Sequence, residues 1–344
     1  MKKILCTLGA LLICAATIRA DEGMWLLPLI QKMNAKALKE AGLEHVPVIS
    51  LSFKDLDEDN PGFKMTPAML IQAIYAIVYG DLLMQCLYRT RPYEAEPGSA
   101  QRLFQKWMDV CKKQLHHGLG WGDYARTCKA IVAEFDALPL VNDRSKPRVG
   151  VVGEILVKFH PTANNQVVDV IEREGCEAVV PGLMEFFTFS IVNGELQRHE
   201  MGKPLKSAIG SNVGLKAIAR MRKPATDALA ASERFDAPAD IYELATYTEG
   251  ILSHCNSMGE GWLLTAEMVE LIKTGAPNIV CAQPFACLPN HVVGKSVIKE
   301  LRRRYPASNI VAVDYDPGAS EVNQLNRIKL MISVAKANLA EGRA

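Results

Sequence analysis

Cysteine carries the most chemical information in this chain. Cys281 and Cys287 bracket the run Cys281-Ala282-Gln283-Pro284-Phe285-Ala286-Cys287, and Cys255 lies in Ser253-His254-Cys255-Asn256-Ser257, upstream of a Gly259-Glu260-Gly261 turn. Cys281 is expected to end a strand, and Cys287 to stand just before a helix that begins near Pro289. A thiol at a helix N-terminus meets the positive end of the dipole and unpaired N–H groups, which favour the thiolate, the form that ligates iron. Pro284 and Pro289 stiffen the loop between. The spacing matches no common ferredoxin or zinc pattern, so small buried hydrophobes remain the alternative reading of these three thiols. Cys86, Cys111 and Cys128 fall inside expected helices and Cys176 beside a helix end, where packing is the expected role.

In open parallel α/β sheets ligands gather beyond the carboxyl ends of the strands, and that rule selects further residues. Glu154 and His160 follow one expected strand, and Asp314, Asp316 and Ser320 follow another. His160 is placed for acid–base work or for a structural loop contact. The aspartates suit a ligand hydroxyl or a helix cap. Val149-Gly150-Val151-Val152-Gly153 lacks the full dinucleotide fingerprint, and Gly294-Lys295-Ser296 resembles the end of a phosphate-binding loop but has Pro289 where the first glycine belongs.

Composition narrows the classes. Of 344 residues, 49% are hydrophobic and 22% charged, with 39 basic against 38 acidic side chains and a formal net charge of +1. No cationic excess exists to neutralise nucleic-acid phosphates, and the apolar fraction is too high for disorder. Nine cysteines are too few for a disulfide scaffold of this length.

The elements that must position these residues read as follows. Residues 1–20, with Lys2, Lys3, an apolar run and Ala20, form a signal-peptide-like leader. Residues 21–145 form a mainly helical segment, the remnant of a neighbouring α/β domain, with a helix at 35–41 and a strand at 46–51. Thr66 and Pro67 start a helix that runs to about residue 89, its Gln72, Gly80 and Asp81 arguing against a membrane span. Helices at 99–115 and 123–138 follow. Residues 146–344 form a flavodoxin-like α/β domain with strands at 149–153, 178–181, 278–281 and 310–313, helices at 164–174, 265–273, 289–304 and 321–339, and an insertion at about 193–250. Strand and helix alternation at this spacing implies a parallel sheet.

Two resemblances follow. Asp21-Glu22-Gly23-Met24-Trp25-Leu26-Leu27 is similar to the mature start of secreted bacterial serine dipeptidyl peptidases, over residues 1–33. No Gly-x-Ser-x-Gly pattern follows, so that chemistry is not carried over. Over about 34–340, the runs 149–154, 259–265, 281–291 and 314–320 resemble 2-hydroxyacyl-CoA dehydratase-related proteins, in particular the C-terminal portion of the large CoA-substrate-specific enzyme activase or activase-related members.

The resemblance implies an iron–sulfur component, with a 4Fe–4S or double-cubane cluster, that works with an ATP-dependent activase and eliminates water from a CoA thioester by one-electron reduction. It implies Cys281, Cys287 and Cys255 as cluster ligands and a second dehydratase-like subunit as a further partner. The activase nucleotide domain and the upstream cysteine segments of full-length members have no counterpart in this sequence, so the chain is expected to be incomplete as an enzyme. A non-catalytic module that docks an activase or partner subunit is the alternative. The body is expected in the cytoplasm, where thiols stay reduced, and the leader points to export.

Overall fold

A computed structural model describes residues 66–141, 146–316, 318 and 320–342. The leader, the peptidase-like start, the helix at 35–41 and the strand at 46–51 lie outside the described residues.

Helix α1 (Pro67–Thr90) begins as its sequence dictates, with Pro67 at the first position and the Thr66 side chain accepting from the Met69 N–H at 3.2 Å. It is long and apolar enough to cross a membrane. Its Tyr79, Leu82, Leu83 and Cys86 are nonetheless buried against α2 (Ser99–His117) and α3 (Trp121–Asp136). The same core takes Met184 and residues 218–235, contributed from beyond the second strand. The helical segment is therefore half of a helical bundle, and among the described residues it contributes only an isolated bridge, Glu94 to Leu140, and no strand.

The sheet comprises β1 (Arg148–Gly153), β2 (Glu177–Val179), β3 (Asn278–Gln283) and β4 (Asn309–Asp314), all parallel, in the order β2-β1-β3-β4. That is an α/β fold with the doubly wound, flavodoxin-like strand order. Helix α4 (Ile155–Phe159) and α5 (Val167–Arg173) separate β1 from β2, where a loop to residue 163 and one longer helix were expected. Helices α6 (Leu183–Met201), α7 (Leu205–Ala230) and α8 (Ile241–Thr246) fill the stretch expected as an insertion, which thus begins at 183 and supplies the other half of the bundle. Helix α9 (Gly261–Lys273) returns the chain to the sheet.

The expected helix at 289–304 is divided into α10 (Leu288–Asn290), a π-helical turn (His291–Lys295) and α11 (Ile298–Arg304). Helix α12 (Glu321–Ala340) closes the described chain. One sheet face packs on α5 and α12 through Val149, Val151, Val280, Ile328 and Ile332, and the other on α9 and α11 through Val152, Ile279, Leu264 and Leu301.

The edge at β4 is closed by side chains. Asn309 and Tyr315 donate their N–H groups towards β3, so the even-numbered carbonyls face outward. Those of Ile310, Ala312 and Asp314 accept from Arg302 Nη2 (2.6 Å), Arg327 Nη1 (3.1 Å) and Gln324 Nε2 (2.9 Å). Such occupation blunts the addition of a foreign strand.

Gly153 ends β1 at φ 142°, and an added Cβ would lie 1.7 Å from the Ala282 carbonyl oxygen. Overlap of that depth, plus a backbone conformation closed to L side chains, makes Gly153→Ala destabilising by at least about 3 kcal/mol, measured by urea denaturation. A loss under about 1 kcal/mol would mean that β1 and β3 do not approach this closely.

Candidate functional site at the carboxyl edge of the sheet

The strand order reverses between β1 and β3, and the loops beyond these two strands flank the crevice where doubly wound folds bind ligands. Glu260, immediately before α9, joins the two loops. Its Oε1 accepts from the Ile155 N–H at 3.0 Å, after β1, and its Oε2 accepts from Asn290 Nδ2 at 2.8 Å, after β3. Asn290 is fully buried, and the same amide nitrogen also donates to Cys287 Sγ at 3.2 Å. One short chain of bonds therefore runs from the β1 loop through Glu260 and Asn290 to the half-buried Cys287 sulfur. Burial raises the Glu260 carboxyl above its ordinary range, against the bonds from Ile155 and Asn290 that favour its anion.

Local backbone geometry presents the thiol. The Cys287 N–H donates to the Pro284 carbonyl at 3.3 Å, closing a tight turn, and Ala286 within it adopts φ 60°. A left-handed non-glycine residue is a local cost that the surrounding contacts hold in place. Asp316 Oδ1 accepts from the Phe285 N–H at 3.1 Å, and Gln283 Nε2 donates to Asp314 Oδ1 at 2.7 Å, so the loops after β3 and β4 are laced together. The helix after Cys287 is a single turn, so the dipole at the thiol is weaker than that of a full helix.

The remaining expected residues separate. Glu154 caps α4, accepting from the Val157 N–H at 2.9 Å. His160 is exposed at the end of α4, its carbonyl accepting from Ala163 and Asn164. Asp314 faces Lys295 at 3.8 Å, and Ser320 precedes α12 without a side-chain cap bond. Cys255 Sγ donates to Glu200 Oε2 at 2.9 Å, and that bond holds the thiol proton. Its loop nevertheless reaches the Cys287 side, since a Cβ on Gly259 would lie 3.1 Å from Pro289.

Cys281 departs from expectation. The strand continues two residues past it, and the side chain is fully buried on the α9 face, where its sulfur would lie 3.1 Å from a Cβ on Gly294. Burial pushes its thiol up to about 12. As placed, Cys281 is a core residue and does not fit a cluster ligand. Among the described residues no three His, Cys, Asp or Glu side chains converge as a metal-holding group.

Sequence reasoning passed over Glu260 and Asn290 as ligand-site residues, although both lie in runs it singled out. It also passed over Lys158, whose ammonium donates to Glu267 Oε1 and Oε2 at 2.9 and 3.1 Å in a pair with both side chains buried. Burial raises Glu267, and Lys158 opposes that shift.

Fold and site together define an α/β protein with a flavodoxin-like parallel sheet and a thiol at its switch-point crevice. Compared with protein-family models, curated proteins and solved structures, the chain matches none of them.

Proposed function

We propose that the chain is an iron–sulfur component of the 2-hydroxyacyl-CoA dehydratase type, with Cys287 as its principal cluster ligand and Cys255 as a second. The Glu260–Asn290–Cys287 chain at the switch point carries this reading, because it fixes a sulfur where such folds gather ligands. Cys281 is left out of the ligand set, and further ligands would come from outside the described residues. A bound cluster would supply one-electron reduction of a CoA thioester, the chemistry that the family resemblance implies. This chain's own part is to orient the sulfur through Asn290 and to hold a carboxyl group, Glu260, next to that contact.

One observation favours the docking-module alternative. Leu156, Met258, Phe285, Leu288 and Val292 are exposed on the loops and short helices around the site, Phe285 and Leu288 at 69% and 72%. An apolar rim of this kind suits burial by a partner such as an activase or a second dehydratase-like subunit.

Anaerobic expression followed by iron and sulfide analysis separates the readings. Iron retained by the wild type and reduced at least several-fold in Cys287→Ala, with the fold intact by circular dichroism, is the expected result. A chain that never binds iron supports the docking module, and equal iron in both proteins ends the role of Cys287.

A further inference from the structure

A cavity of about 110 Å³ lies along the outer edge of β2, between α1, α6 and α9. Tyr88, Phe235 and Pro238 form an apolar wall, and Glu185 and Glu270 an acidic one. Glu185 is only 3% exposed. Arg222 donates to its Oε1, whereas its buried Oε2 has no hydrogen-bond partner. That oxygen borders the cavity wall at Gly182, where an added Cβ would lie 2.6 Å from it and 2.8 Å from Asp81 Oδ2.

The other groups here are already engaged. Asp81 accepts from the Leu183 and Met184 N–H groups at 2.8 and 2.9 Å, Lys158 is paired with Glu267, and Arg89 and Arg148 are both tied to Glu177. Glu270 Oε1 accepts from the Ala239 N–H at 3.2 Å. Among the described residues Arg222 is thus the cation facing Asp81 and Glu185, and Arg89 and Arg148, which also line the cavity, are committed to Glu177. A buried carboxylate oxygen without a donor is rare in folded proteins, and here it lines a space large enough for a guest.

We propose that this cavity binds a small primary ammonium compound, its N–H donors directed at Glu185 Oε2 and Glu270 and its carbon tail at Tyr88 and Phe235. The geometry suits this class. A volume of about 110 Å³ is well above what a single water needs, so the space admits a small organic guest. An ammonium offers several donors to acceptors that do not converge as a metal-holding group. Burial, and then the charge of Glu185, push the Glu270 carboxyl up to about 7, so a bound cation would expel its proton near neutral pH. The site is independent of the Cys287 reading and uses none of its residues.

The test is thermal melting of the full chain in ethylammonium chloride, with sodium chloride and tetramethylammonium chloride at equal ionic strength as controls. The expected result is a rise in Tm with ethylammonium alone, abolished in Glu185→Gln and weakened several-fold in Glu270→Gln, whose amide oxygen can keep the Ala239 bond. Titration calorimetry of the wild type in buffers of different ionisation enthalpy should show proton release on binding, a readout that needs no variant to fold. The proposal is overturned by equal responses to all three salts, by a Glu270→Gln response equal to wild type, or by binding without proton release.

Discussion

Replacing Lys158 with Met should lower the unfolding free energy by about 3–5 kcal/mol, because it strands the Glu267 carboxylate without its partner. Both side chains of this pair are about 5% exposed or less, so water cannot take over the lost bonds. A surface pair such as Arg102 with Glu96 has no such leverage, since both of its side chains are mostly exposed. The double variant Lys158→Met, Glu267→Leu should recover most of the loss, because apolar substitution of a buried pair is often neutral or stabilising. Urea denaturation of the three variants measures both effects. If the single variant loses less than about 1 kcal/mol, Lys158 and Glu267 are not coupled as their geometry indicates. The pair joins α4 to α9, the two helices whose N-termini carry the Ile155 N–H and Glu260, so its loss should also loosen the crevice.

The stability contributed by Asp81 and Glu270 should fall as pH rises from about 4 to 8, against the usual trend for carboxylates. Asp81 and Glu270 are both pushed up to about 7, chiefly by burial and then by the charge of Glu185. Their folded values lie above the unfolded ones, so the folded state holds these protons more tightly. The resulting stabilisation is complete below the unfolded values near 4 and is lost as pH passes through about 7. At about 1.4 kcal/mol per unit, the two groups together account for a decline of several kcal/mol, on the order of 2–4 each. Asp81→Asn and Glu270→Gln should each flatten the curve. A slope between pH 5 and 7 that is the same in wild type and in both variants would contradict the burial of these groups.

Much of the frame was legible because it rests on local patterns. All four strands were expected within a few residues, since β-branched runs bounded by Pro, Gly and Asn admit few other readings. The start of α1 was legible because its cap bond spans three residues. The π-helical turn was not, because its residues are compatible with a continuous helix and the break follows packing on α9, where Thr265 Oγ1 donates to the Val293 carbonyl at 2.6 Å.

Tertiary structure alone decided which chemistry-bearing residues meet. A period of two places Cys281 on one face of its strand without saying whether that face is covered; α9 and Gly294 cover it, and the thiol becomes core. The bond from Asp81 to the first turn of α6 spans about a hundred residues, and that from Glu260 to Ile155 spans 105. No local pattern encodes such partners, because a buried carboxylate takes whichever N–H group the packed elements bring to it. The sequence by itself determined the parallel sheet and the loops at its carboxyl edge. Which of those loop residues form a site was set by the packing of α9 and the turn at Cys287, since burial and long-range hydrogen bonds exist only once the elements are assembled.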